Sequence, residues 1–568
     1  MHLISRKFTL FIAVFVLAFM AGCAPTEKTE QAETDEIGQQ PLPVVERADP
    51  AKMPREEFEP SHQMVVSPQA LHSDVARGRV GDPAAHLRWP DRPVNRDQYG
   101  HFEDNPIRRA SEHPVSTFSI DVDTGAYANV RRMLREGRLP PRDAVRVEEM
   151  INYFGYDYPV PEPGGDPFSV SIEQAATPWN AKTRLVQIGI KGYQPPVEEI
   201  PPANLVFLID VSGSMAPADR LPLVVNGLKM LVRELGPEDR VAIVVYAGAT
   251  GVVLESTPGD RKATITAALD GLRAAGATNG GAGIQQAYAQ AEQGFIEGGI
   301  NRVILATDGD FNVGTVNFQA LLDMVKARRE TGIALTTLGV GSGNYNEHLM
   351  EQLAAAGNGN HAYLDSLAEA RKVLVDERHA TLMRIASDVK IQVEFNPAVV
   401  AEYRLIGYEN RLLKREDFNN DQVDAGEIGP GHTVTALYEV ALVGSGGERI
   451  DPLRYTDREE QLAGSHTEEL GFLQLRYKRP GENDSHLIQT PIPRSLNGQG
   501  SDRLAFAAAV AAFGQHLRGG DHLEGFGLNE IHHLASRSRG DDPFGYRGEF
   551  LQLIRLTESL GVAQSSPP

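Results

Sequence analysis

Three short stretches of the chain carry oxygen-bearing side chains at places where a ligand could be held: Asp210-Val211-Ser212-Gly213-Ser214, the loop Gly276-Ala277-Thr278-Asn279-Gly280-Gly281, and Asp308-Gly309-Asp310. Taken singly, each has an ordinary reading, serines as helix N-caps and aspartates as turn formers. What sets them apart is what precedes them. Asn204 to Ile209 (NLVFLI) is an apolar run suited to a strand buried on both faces, and it ends directly on Asp210. RVILAT runs in the same way into Asp308.

The elements around these stretches alternate. A helical pattern follows from Leu221 to Leu235, then a strand, RVAIVVYA, and helical stretches around 261–275 and 282–297. After RVILAT come a helix over 316–331, a strand IALTTLGVG, a helix around 346–356 and the short HAYLD. Strands alternating with helices predict an α/β fold, a doubly wound and mostly parallel sheet with ligands at the carboxyl ends of its strands. Asp210 and Asp308 each fall at such an end, and Thr278 lies in a loop of the same kind.

DVSGSM, GATNGG and ATDGD together resemble the three loops of a von Willebrand factor type A domain, a Rossmann-like fold, and match its metal-ion-dependent adhesion site. The resemblance implies that Ser212, Ser214 and Thr278 offer hydroxyls to a divalent cation, with Asp210 and Asp308 completing the shell directly or through water. Mg²⁺, or alternatively Mn²⁺ or Ca²⁺, is the implied ion. Such a donor set leaves one of six octahedral positions open and the cation electron-poor. The expected occupant of that position is an exposed Asp or Glu of a partner protein.

Catalysis is the weaker expectation. Metal-assisted hydrolysis needs a base beside the bound water, and Asp310 is the single local candidate. The chain has no HExxH, no GxSxG and no Walker A lysine. A non-enzymatic binding protein is therefore expected. The alternatives are an adaptor for an AAA-type ATPase and a structural component whose metal site is filled by an internal acid.

The ends of the chain place this domain. The 568 residues sum to a net charge of −21 with no Lys/Arg block, which argues against nucleic acid as the partner. The single cysteine excludes intramolecular disulfides, zinc knuckles, CxxC redox pairs and thiolate-held clusters. Arg6 and Lys7 precede an apolar stretch of about 12 residues, too short to span a bilayer. Met20-Ala21-Gly22-Cys23 at its end resembles the bacterial lipobox, with Met20 where Leu is usual. That resemblance implies lipidation of Cys23 and attachment to the cell envelope, with the outer membrane favoured in an organism that has two. Residues 24–60 carry ten acids and four bases among prolines, and the whole of 24–110 is expected to be a disordered tether.

The expected organisation is a signal segment 1–23, the tether 24–110, an α+β region 111–202, the type A domain 203–380, and a region 381–568 that is β-rich and then helical. STFSIDVDTGAYANVRRML and RLIGYENRLLKREDFNNDQVDAGEIGPGHTVTALYE resemble the flanks of a family of bacterial von Willebrand A lipoproteins. Strands at 168–192 have no partners nearby, nor do those at 389–478. Pairing between them would make the type A domain an insertion in one β-rich body. Asp121-Val122-Asp123 is expected to be a strand-end turn. Asp417-Phe418-Asn419-Asn420-Asp421 begins like a calcium loop, but Gln422 stands where that loop needs Gly, and a hairpin loop is expected. His516, His522, His532 and His533 lack metal-ligand spacing.

Overall fold

The computed structural model describes residues 96–162, 164–276, 280–309, 318–451, 466–495 and 500–565. The signal segment with Cys23, the tether up to position 95, Thr278 and Asp310 lie outside the described residues.

Every residue of the strand Ala203–Asp210 is buried, as are all of Ile333–Val340 and all but the first of Ile300–Thr307. Apolar runs of this kind form strands covered on both faces. They stand in a six-stranded sheet in the order His361–Leu364, Ile333–Val340, Ile300–Thr307, Ala203–Asp210, Arg240–Tyr246, Thr250–Pro258. All neighbours are parallel except the last pair. Side chains of the central strand alternate between two cores. Leu205, Phe207 and Ile209 pack with Val224, Leu228 and Leu231 of the helix Leu221–Glu234. Val206 and Leu208 pack with Ile284, Ala287 and Ala291 of the helix Gly280–Gln293. The expected doubly wound sheet is present. Thr250–Pro258 was not expected; it is a partly exposed edge strand, so burial writes no apolar run into it.

The flanks build one β-body. One sheet runs Arg108–Arg109, Val400–Ile406, Thr433–Leu442, Asn180–Gly192, Phe168–Thr177. The other contains Gly426–Ile428, Ala386–Phe395, Glu469–Lys478 and His486–Pro493, with Val115–Ser119 paired to Ala386–Phe395. Strands before the type A domain thus pair antiparallel with strands after it, Val434 opposite Ile190 and Ile391 opposite Phe118. Phe118, Ile188, Ile391, Val434, Tyr438 and Leu473 share the core between the sheets. The six-stranded domain is an insertion between Gly192 and Ala386 of this body.

Residues 96–110 correct the expected tether. Asp97 Oδ1 accepts the N–H groups of Gly343 and Tyr345 at 2.8 and 3.0 Å. Asn105 Nδ2 donates to the carbonyls of Leu405 and Gly407 at 3.2 and 2.7 Å. Arg108 and Arg109 pair with Tyr403 and Glu402. Polar residues hold this segment through hydrogen bonds to existing edges, which leaves no apolar periodicity to read. The loop after Asp417 holds ammonium groups: Lys390 Nζ donates to the carbonyls of Asp417 and Asn420 at 3.1 and 2.6 Å. It joins two different sheets and is not a hairpin loop.

A helical layer closes the fold. Helices Gly125–Arg135 and Val147–Asn152 share a core with Asp502–Leu517, Leu528–Arg537 and Tyr546–Ser565, centred on Tyr127, Phe154, Phe506, Phe513 and Phe550. Arg131 pins three regions together. Its Nη2 lies 2.5 Å from Asp365 Oδ1 and 2.7 Å from Glu369 Oε2, and its Nη1 lies 2.9 Å from Glu549 Oε1.

Two outcomes follow. Arg131→Met strands the buried carboxylates of Asp365 and Glu369, and urea denaturation will show a loss of about 3 kcal/mol, the cost of breaking a buried ion pair from one side. His361, buried between Thr337 and Tyr345, has its imidazole pushed down to about 4 chiefly by burial. The unfolded chain then binds one more proton between pH 6.5 and 4, so stability falls through that window, by about 3 kcal/mol for this group. Denaturation midpoints of His361→Gln against pH will show a correspondingly shallower acid slope than those of the unsubstituted chain.

Candidate metal-binding site

Strand order reverses beside Ala203–Asp210: the chain goes next to Arg240–Tyr246 on one side and later to Ile300–Thr307 on the other. This is the switch point of an open α/β sheet, where a crevice forms at the carboxyl ends. Asp210 ends the first strand, opposite Tyr246, and Asp308 follows the last residue of the second. Both aspartates are fully buried.

The Asp210 turn is held by its own side chain. Asp210 Oδ1 accepts the Ser212 N–H at 2.8 Å, and Oδ2 accepts the Thr307 hydroxyl at 3.0 Å. A short 3₁₀ turn, Gly213–Met215, then brings the Ser212 and Ser214 hydroxyl oxygens within 3.0 Å of each other. Gly213 N–H donates to the Gly276 carbonyl at 3.0 Å, and Ala275 N–H donates to the Val211 carbonyl at 2.7 Å. Gly276, the first residue of the Thr-bearing stretch, and Ala275 before it are thereby tied to the serine turn. Thr278 itself lies outside the described residues.

Asp308 has a partner that sequence reasoning missed. Arg220, the last residue before the helix Leu221–Glu234, ion-pairs with Asp308 Oδ2 through Nη1. The same nitrogen donates to the Ser214 carbonyl at 2.8 Å, and Nη2 donates to the Ser342 carbonyl at 2.5 Å. An ion pair between residues so far apart along the chain leaves no spacing to detect. Thr307 was also missed, although it directly precedes Asp308. Gly309 has φ +88°, and a Cβ there would come within 2.4 Å of the Asn346 backbone nitrogen, so the turn after Asp308 requires glycine.

Burial pushes the Asp210 carboxyl up to about 6; the Ser212 and Thr307 hydrogen bonds pull it down, and the negative Asp308 adds to the rise. The described donors are two carboxylates and two hydroxyls, without nitrogen or sulfur. That chemistry fits a hard, oxygen-loving cation, and such an ion would relieve the cost of the buried Asp210 charge. Among the described residues, His522, in the turn before the helix Leu528–Arg537, and His532 of that helix face the guanidiniums of Arg449 and Arg555, an unfavourable setting for a metal.

Residues 93–187 match the family described as von Willebrand factor, 204–377 the von Willebrand factor type A domain, and 380–560 the C-terminal region of the uncharacterized protein YfbK. The chain is 48% identical over 469 residues to the uncharacterized protein YfbK of Escherichia coli (strain K12), covering 82% of this chain and 81% of that protein. It is 24% identical over 304 residues to the uncharacterized protein sll0103 of Synechocystis sp., covering 52% and 67%. Among solved structures, a von Willebrand factor type A protein from Catenulispora acidiphila is similar at 15% identity and a TM-score of 0.37, covering 66% of this chain and 88% of that one. The chain belongs to the YfbK family of bacterial proteins, built around a von Willebrand factor type A domain.

Proposed function

We propose that this protein binds a protein partner through a divalent cation, Mg²⁺, held by Asp210, Ser212, Ser214, Thr278 and Asp308, and that lipid on Cys23 anchors it to the cell envelope. The observation that carries the reading is the buried Asp210 carboxylate, bonded to its own serine turn and set beside Asp308 at the switch point of the sheet. The cation would supply an electron-poor centre that attracts a partner's Asp or Glu. Arg220 supports this role through charge. Its guanidinium neutralises Asp308, so a divalent ion added beside Asp210 keeps a net positive charge toward the partner. The reading is non-enzymatic.

The Arg220–Asp308 pair also favours a second reading, a structural envelope component whose site is satisfied from within. Two measurements separate them. Calorimetry on chelator-treated full chain will show a Mg²⁺-binding event that is at least a hundredfold weaker in Asp210→Ala, and about tenfold tighter in Arg220→Gln, where a nearby positive charge is gone. Immobilised full chain exposed to envelope extract will retain proteins released by EDTA, and Asp210→Ala will not retain them. Equal retention by both chains supports the structural reading and defeats the proposal.

A further inference from the structure

The Asp121-Val122-Asp123 turn is far more than a strand end. Asp121 and Asp123 are 4% and 6% exposed, and they meet Glu351, 8% exposed, from the type A helix Glu347–Ala356. One carboxylate oxygen from each of the three lies within 4.8 Å of the others. Glu148 and Glu149 of the helix Val147–Asn152 and Glu347 are buried in the same place, at 0%, 3% and 2% exposure. Each of Asp121, Asp123, Glu347 and Glu351 acts electrostatically on Glu149. Six carboxylates therefore meet where both flanks touch the type A domain.

Only two guanidiniums among the described residues answer them. Arg411 donates from Nε to Asp121 at 2.9 Å, and from Nη2 to Asp123 at 3.2 Å and Glu351 at 3.3 Å. Arg146 Nη2 is 3.6 Å from Glu351 Oε2, and none of the Arg146 nitrogens makes a hydrogen bond. Asp121 and Asp123 also accept the N–H groups of Asp123 and His361 at 2.9 and 2.8 Å. Glu149 accepts the Ala126 N–H at 2.8 Å, and Glu351 accepts Asn410 Nδ2 at 2.6 Å.

Glu347 breaks the pattern. Both of its oxygens are buried without any hydrogen-bond partner, and it faces Glu351, Glu148 and Asp123. Both oxygens of Glu148 are in the same condition. Arg146 acts on Glu347, Glu148, Glu149 and Glu351 together without hydrogen-bonding any of them, and one guanidinium does not offset four buried carboxylates. A proton shared with a neighbouring carboxylate removes one negative charge from this group, and a divalent cation offsets two.

We infer that this junction holds a second divalent cation, of the size of Ca²⁺, liganded by carboxylates from the amino-terminal flank (Asp121, Asp123, Glu149) and from the type A domain (Glu347, Glu351). The donors are all carboxylate oxygens, and one each from Asp121, Asp123 and Glu351 lie close enough to share a single ion. Mg²⁺ demands a tighter octahedron and keeps more of its water. Arg411 occupies one lone pair on Oδ2 of Asp121 and of Asp123 and leaves the other on each, while Glu351 Oε1 accepts from both Arg411 and Asn410 and leaves Oε2 to a further partner. A cavity of about 220 Å³, lined by Asp121, Asp123, Asn410, Arg411 and Glu427, gives the ion a way in. The ion would fasten the inserted domain to the amino-terminal flank.

The test uses chelator-treated full chain and Ca²⁺ alone, first in the Asp210→Ala background so that the sheet-edge site is silent. Calorimetry is expected to count one Ca²⁺ per chain, with a rise in thermal midpoint on adding Ca²⁺. Adding Glu347→Gln is expected to weaken binding at least tenfold and to abolish that rise, with circular dichroism unchanged. Asp123→Asn replaces Glu347→Gln if the latter does not fold. An Asp210→Ala chain that folds but takes up no Ca²⁺ at millimolar concentration overturns the inference, as does unaltered binding in the double variant. The sheet-edge proposal stands or falls separately, on whether the unsubstituted chain binds one ion more than Asp210→Ala.

Discussion

A carboxylate buried at the end of a fully buried strand has to be neutralised or solvated by what stands around it, and Asp210 organises its surroundings accordingly. Ser212 and Thr307 donate to its two oxygens, and the parallel register with Ile300–Thr307 sets Asp308 close enough to add repulsion. The sheet order makes this meeting unavoidable, because the central strand is the one from which the chain departs in both directions. Arg220 relieves Asp308 and leaves Asp210 with hydrogen bonds alone. The remaining imbalance is the physical basis for proposing a cation at this edge.

Electrostatics also explains how an inserted domain is held in its host. Among the described residues the β-body and the six-stranded sheet share no continuous strand pairing. Buried ions strengthen a contact that also includes Ala128 against Tyr345, Met350 and Tyr363. Arg131 reaches from the amino-terminal flank to Asp365, Glu369 and Glu549, and Arg411 reaches from the carboxyl-terminal flank to Asp121, Asp123 and Glu351. Breaking such pairs from one side is expensive, so the flanks fix the domain's placement as well as enclosing it.

What could be read from the residues follows burial. Ala203–Asp210 and Ile300–Thr307 were legible because strands covered on both faces must be apolar throughout, and the aspartates stand out at their ends. The insertion was legible because unpaired strands at 168–192 and 389–478 needed partners. Thr250–Pro258 was not, since a half-exposed edge strand has no obligatory pattern. Residues 96–110 were read as tether because their attachment is made by Asp97, Asn105 and backbone groups. Arg220 and the cluster around Asp121 were invisible for a related reason: ion pairs between distant positions impose no local periodicity. Asp121-Val122-Asp123 reads locally as a turn after a strand, and its burial against Glu351 is a property of the fold alone.

The central claim is that the carboxyl edge of the sheet, between Asp210 and Asp308, holds a metal ion. Anomalous diffraction from crystals of the full chain grown with Mn²⁺ tests it most directly. A peak bonded to or water-bridged by Asp210, Ser212, Ser214 and Asp308 is expected. A well-ordered edge with Arg220 still on Asp308 and no peak there would contradict it.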